Sequence, residues 1–255
     1  MIKSIKVSDE RLMIKEVKFC STLNLLYGCN GIGKSSLLRT IRDRYELKKF
    51  DRMEVSEDVL QRAKVQKDED LQKFFISSSI NEYGIHTYFD SSDNLGSNPP
   101  AMNADTDAMV RHFNVKFISE GESIVESFLE FIEKNKSKFE EGNTILIDEI
   151  DSGLSVEYIN MILNVIIDII NKHKVQFIIG INNYHWIYRA KKYIDMSTGK
   201  FVECNSYDEF LKNTLDVRDK KMKFEEKQKK KEEAERKKAA KKNNGRDSQG
   251  FRNIK

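Results

Sequence analysis

Gly28-Cys29-Asn30-Gly31-Ile32-Gly33-Lys34-Ser35 has the form G-x-x-x-x-G-K-S, and Ile145-Leu146-Ile147-Asp148-Glu149 is an apolar run closed by two carboxylates. The first is the pattern of a phosphate-binding loop; the second is the usual partner of such a loop in nucleotide hydrolysis. Glycines at 28, 31 and 33 let the backbone take conformations that a side chain would forbid, so amide N–H groups can point at phosphate oxygens. Lys34 brings a positive charge to the β- and γ-phosphates, and Ser35 offers a hydroxyl to Mg²⁺. Asn30 and Ser36 are counted with these residues as nucleotide-binding positions. The loop follows the strand-like Leu23-Asn24-Leu25-Leu26-Tyr27 and opens into residues 34–49, which have helical spacing. Phosphates would then sit at a helix N-terminus, where the dipole favours anions. ATP and Mg²⁺ are the expected ligands.

The two carboxylates have different tasks. Asp148, at the end of a buried strand, suits a water-mediated hold on Mg²⁺, so the metal set is Ser35 and Asp148. Glu149 points elsewhere and could orient the attacking water or accept its proton. Lys34 and Glu149 are thus catalytic candidates. A solvated acidic turn after a core strand is the plainer reading. Against it, Thr144-Ile145-Leu146-Ile147 aims the pair toward the phosphate loop's end of a parallel sheet.

Between the two motifs lies Phe117-Ile118-Ser119-Glu120-Gly121-Glu122-Ser123, followed by an amphipathic run from Ile124, and Ile150-Asp151-Ser152-Gly153-Leu154-Ser155 follows the acidic pair. In this order the motifs resemble those of ABC-type ATPases: phosphate loop, signature, acidic pair and D-loop. The resemblance covers residues 1 to about 210. The opening around Leu23 to Gly31 is similar to the non-transporter branch, akin to SMC, RecF and OLD-like heads. Small heads of this kind occur in phage and in bacterial defence or mobile-element systems. The resemblance implies an α/β P-loop NTPase fold of ABC type, with a mixed sheet flanked by helices and a small helical subdomain roughly at 50–140. It also implies a homodimer or higher homo-oligomer closed by an ATP sandwich, in which Ser119 and Gly121 of one subunit cap the γ-phosphate held by the other. Ser119 with Glu122 three residues on also reads as a plain capping box, and both readings can hold at once.

Three family elements differ. Asn182-Asn183 stand where a switch histidine is expected after the strand at 175–181, and His185 lies three residues too late. Asn182 can donate a hydrogen bond to a γ-phosphate but cannot carry charge or a proton, so it joins the catalytic candidates as a neutral donor. The Q-loop glutamine is replaced around Ser91, Ser92, Asp93 and Asn94. No adenine-stacking aromatic is evident at 11–14.

A length of 255 residues suits one α/β domain with a sizeable core. Cys20, Cys29 and Cys204 are scattered, with no C-x-x-C, so neither a zinc site nor a disulfide framework is expected. No secretory leader is expected from the opening residues, and the longest apolar stretch, 161–170, is broken by Asn164 and Asp168 and too short for a bilayer. A cytoplasmic protein with no membrane partner is expected. Residues 56–73 read as polar helix, 85–90 as a strand, 91–103 as a loop, 193–202 as a hairpin around Thr198-Gly199, and 206–215 as a short helix. The domain is placed at 1–215. Beyond it, residues 216–255 hold 16 Lys and Arg against 8 Asp and Glu, while the whole chain is only +3. This charged tail lacks an apolar stripe, which predicts a solvated helix or a disordered arm. A nucleic-acid tether and a solubilising tail are both open readings.

The expected function is an ATP-binding and hydrolysing ABC-type ATPase whose ATP-driven head-to-tail dimerisation switches a protein partner or a nucleic-acid contact, in DNA metabolism or a phage or defence setting. A nucleotide-gated scaffold with very slow turnover is the alternative. The energy subunit of a membrane transporter is a further one, disfavoured by the missing glutamine and histidine and by Glu120, which stands where the resemblance implies the first glycine of the signature.

Overall fold

The computed structural model describes residues 1–7, 12–50, 86–90 and 119–247. In chain order the elements are β1 (Ser4–Lys6), β2 (Glu16–Lys18), β3 (Leu23–Tyr27), α1 (Lys34–Phe50), β4 (His86–Asp90), α2 (Glu120–Asn135) with a 3-10 turn at Lys136–Lys138, and β5 (Thr144–Asp148). Then come α3 (Val156–His173), β6 (Gln176–Gly180), α4 (Tyr184–Ala190), β7 (Lys192–Asp195), β8 (Lys200–Glu203) and α5 (Tyr207–Asp247). Of the helical subdomain expected at 50–140, β4, α2 and the turn after it are described. The polar helix at 56–73, the loop at 91–103 and Ser91 to Asn94 lie outside the described residues.

The main sheet has the order β4-β5-β6-β3-β7-β8. Neighbours from β4 through β7 run parallel, and only the β7–β8 hairpin is antiparallel. This is the expected mixed, mostly parallel α/β sheet. The strand of the phosphate loop and the acidic strand are not neighbours: β6 lies between them, pairing Phe177 with Leu23 on one side and with Ile145 on the other.

Side chains alternate across a strand, so each central strand feeds two cores. Leu25, Tyr27, Ile145, Ile147, Phe177 and Ile179 turn to the face covered by α2, α3 and α4. Leu26, Leu146 and Ile178 turn to the opposite face, against Leu37, Leu38 and Ile41 of α1. Helix α3 forms because its apolar residues recur at helical spacing, and Ile159, Ile162, Leu163 and Ile166 are buried as one stripe. Ser155 caps its start, accepting from the Tyr158 amide, and Lys174 ends it in the left-handed conformation at φ 51°. Burial of each such side chain contributes about 1.5–3 kcal/mol, which is what holds the connecting loops at the sheet's rim.

A buried amide ties the amino ends of the central strands together. Gln176 Oε1 accepts from the Ile2 amide and from Thr144 Oγ1, both at 2.8 Å. Its Nε2 donates to the carbonyls of Ile2 at 2.8 Å and Cys20 at 2.6 Å. All four valences are used, so one side chain links the N-terminal segment, β5 and the turn before β3.

Helix α5 differs from the expected short helix followed by a separate tail. It is continuous across 215/216, and its first turns pack on the domain through buried Phe210 and Val217. Thr214 Oγ1 meets Tyr27 Oη at 3.2 Å. No helix among the described residues is long and apolar enough to cross a membrane.

Replacing Gln176 by Ala would leave the buried Ile2 peptide and Thr144 without their partners. The expected loss is about 2–4 kcal/mol. Urea denaturation of the nucleotide-free protein would show it as a lower midpoint with an unchanged slope.

Candidate functional site

Because β3, β4, β5, β6 and β7 are parallel, their carboxyl ends meet at one rim of the sheet. β3 delivers residues 28–35, β5 delivers Asp148 and Glu149, β6 delivers Asn182 and Asn183, and β4 delivers Asp90.

The phosphate loop turns through Gly31 at φ +71° and Gly33 at φ +105°, both in the region that side chains avoid. At Gly28 a Cβ would lie 3.0 Å from Ile32 and 3.2 Å from Met196, so a larger residue at the strand-to-loop junction would have to push these side chains back. Lys34 is buried and donates to the Gly28 carbonyl at 2.8 Å. Burial lowers its pKa, while the carboxylates of Asp151, Asp148 and Glu149 pull the other way.

Ser35 Oγ donates to Asp148 Oδ1 at 3.2 Å, bringing the two expected metal ligands together. Burial pushes the Asp148 carboxyl above the usual range; the Ser35 hydrogen bond opposes this, and the charges of Asp90 and Glu149 add to it. Two hard oxygen donors at a helix N-terminus beside glycines with no Cβ make a fit to Mg²⁺ and a polyphosphate. Gly180 is part of this fit: a Cβ there would stand 2.9 Å from Asp148 Oδ1. The carboxylate thus occupies the space that a glycine inside a strand leaves free.

Glu149 is exposed and sits at φ +52°, uncommon for a residue with a side chain. Such backbone costs of order 1 kcal/mol and tends to persist where function uses it.

Asp151 holds the β6 turn. Its Oδ2 accepts from the amides of Asn182 and Asn183, each at 2.6 Å. Its Oδ1 is buried with no hydrogen-bond partner among the described residues. Burial raises its pKa; the two amides and then Lys34 oppose the rise. Asn182 is exposed at this turn, whereas Asn183 is the N-cap of α4 and accepts from the His185 amide at 2.9 Å. The His185 ring faces elsewhere, with Nε2 3.0 Å from Asn160 Oδ1.

On the β4 side, Tyr88 Oη lies 3.1 Å from Asp90 Oδ2 and 3.3 Å from Asp148 Oδ2, within donating reach of both. Arg39 pairs with Asp90 at 3.4 Å, and the Arg42 guanidinium stacks 4.8 Å from the Tyr88 ring centre. Burial raises the Tyr88 pKa further, so the phenol stays a donor.

Ser119 and Gly121 are not brought to the phosphate loop by any of these contacts. Ser119 caps α2 in a full capping box: its Oγ accepts from the Glu122 amide at 3.3 Å, and its amide donates to Glu122 Oε2 at 3.0 Å. A Cβ on Gly121 would stand 3.1 Å from the Gly153 carbonyl, so α2 begins directly against the 150–155 loop. Leu12 lies over the loop at Gly33, 3.0 Å from where a Cβ would be. The residues that the motifs did not single out are Tyr88, Asp90, Arg39, Gly180 and a role for Asp151. A glycine inside an apolar strand was a readable signal for Gly180; the β4 groups depend on strand register and had none.

Residues 24–193, well over half of the chain, match the family model of the ATPase family associated with various cellular activities (AAA). No curated protein matches the chain.

Asp151→Ala should cost about 1–3 kcal/mol, because two part-buried amides lose their acceptor. Asp151→Asn keeps an acceptor oxygen and removes the buried charge. The folded-state pKa of Asp151 is raised above 3.8, so stability falls as pH rises through the interval from 3.8 to the raised value. Melting curves should therefore show Asp151→Asn gaining on the wild type across that interval and matching it below.

Proposed function

The chain belongs to the ATPase family associated with various cellular activities, and we propose that it is an ATP-binding and hydrolysing P-loop ATPase that pairs head to tail in the ABC manner. The observation that carries this reading is the convergence of Lys34, Ser35 with Asp148 at 3.2 Å, Glu149 and the Asp151-held turn at Asn182 on one rim of the sheet.

In this reading the amides of residues 28–36, including Asn30, Gly31, Gly33 and Ser36, cradle the phosphates. Lys34 turns from the Gly28 carbonyl to the β- and γ-phosphate oxygens. Ser35 and Asp148 hold Mg²⁺, which when bound neutralises phosphate charge. Glu149 orients a water and takes its proton as the water oxygen bonds to the γ-phosphorus and the bond to the β–γ bridging oxygen breaks, leaving ADP and phosphate. Asn182 donates its side-chain amide to the γ-phosphate. In this reading Ser119 and Gly121, at the N-terminus of α2, serve the phosphates of a second copy. The cycle would switch a protein partner or a nucleic-acid contact made through the basic C-terminal segment.

A second reading, a nucleotide-gated scaffold with very slow turnover, is favoured by one observation. His185 is paired with Asn160 and Asn183 is engaged as a helix cap, so only a neutral amide is offered at the switch position. Steady-state turnover separates the two.

Glu149→Gln should trap the ATP-bound pair, doubling the light-scattering mass on addition of ATP and Mg²⁺. A mass that does not respond to ATP overturns the head-to-tail model. Lys34→Ala should lose nucleotide binding; unchanged ATP affinity would overturn the phosphate-loop assignment itself.

A further inference from the structure

The C-terminal helix reaches the nucleotide site. Lys221, on α5, donates from Nζ to the carbonyl of Asn30 at 2.6 Å, a contact 191 residues apart in sequence. A Cβ built on Gly31 would lie 3.1 Å from the same nitrogen. The side chain is only 20% exposed and is steadied by Glu225 at 3.4 Å, one helical turn further on. Phe210, Thr214, Val217 and Lys221 fall at steps of four, three and four, so the face that carries the buried anchors also carries this lysine.

The consequence follows from the planarity of the peptide bond. The Asn30 carbonyl and the Gly31 N–H belong to one rigid trans unit and point in opposite directions. A donor that fixes the carbonyl on the outside of the loop therefore fixes the N–H on its inside, where a phosphate would sit. A charged donor also polarises that peptide and strengthens the N–H as a donor. Gly31, at φ +71°, has no Cβ to hold this orientation sterically.

We propose that Lys221 is a positioning residue of the nucleotide site, holding the Asn30–Gly31 peptide for phosphate and so coupling the docking of α5 to nucleotide occupancy. This rests on the phosphate-loop reading above. By linkage the coupling runs both ways: docking favours nucleotide, and nucleotide favours docking.

The test uses the full chain with Lys221→Met, Lys221→Arg and, as a control for bulk charge on the same helix, Lys223→Met. Affinity for a fluorescent ATP analogue with Mg²⁺ is measured by titration, and hydrogen exchange of amides 210–221 with and without that nucleotide. Lys221→Met should weaken binding about five- to tenfold and abolish nucleotide-dependent protection of these amides, with turnover at saturating ATP within about twofold of wild type. Lys221→Arg should recover most of both effects, and Lys223→Met should change neither. Wild-type affinity in Lys221→Met, an equal loss in Lys223→Met, or protection that survives in Lys221→Met would each overturn the inference. Failure of the underlying site reading looks different: wild type and Lys34→Ala would then bind nucleotide equally or not at all, and the inference falls with it.

Discussion

A lysine ammonium almost removed from water is the constraint around which this molecule is arranged. Lys34 is 8% exposed, and its hydrogen bond is to a backbone carbonyl, Gly28, rather than to a carboxylate. Taking an ion out of water costs several kcal/mol unless charge and hydrogen bonds compensate. Here compensation comes from Asp151, Asp148 and Glu149, all near enough to favour the charged lysine. Two of those carboxyls, Asp148 and Asp151, are themselves driven toward their neutral forms by burial. The charges of Lys34, Asp148 and Asp151 are therefore held in place at a cost to the fold. The two apolar cores on either face of the sheet offset that cost, and a bound polyphosphate with its cation would relieve it.

The core was legible because its signals are local. Leu23 to Tyr27 and Thr144 to Asp148 appear as strands where their apolar residues predict them, and odd and even positions separate cleanly between the two faces. The hairpin around Thr198-Gly199 likewise follows from its turn residues, with Gly199 at φ +71°. The loop and its lysine stand out in a short string because they belong to one strand–loop–helix unit, and the acidic pair stands out as the end of a second apolar strand two places away in the sheet. The Ser119 capping box was equally local, and it forms as the spacing to Glu122 predicts.

What could not be read depends on register and on distant segments. Asp90 meets the Asp148 neighbourhood only because β4 and β5 align those two residues as partners. Asp151 stood in the acidic string, but its grip on Asn182 and Asn183 requires β6 to lie next to β5. The docking of α5 was invisible for another reason. A face made of Phe210, Thr214, Val217 and Lys221 has only two apolar members, and the helix as a whole is dominated by charge, so no hydrophobic period stands out. The segment therefore looked like a solvated arm from Asp216 onward.

The length of α5 gives that docking a mechanical meaning. At 1.5 Å per residue, the turns beyond Lys221 project about 39 Å from the last contact with the phosphate loop. A stiff rod clamped at one end amplifies angle into distance: a tilt of about 5° at the clamp carries the far tip roughly 3 Å. Under the coupling proposed for Lys221, sub-ångström adjustments of the Asn30–Gly31 peptide would become displacements of the size that distinguishes a made contact from a broken one. The gearing is set by helix length alone, so inserting or deleting whole turns between 222 and 247 changes the stroke and leaves the clamp as it is.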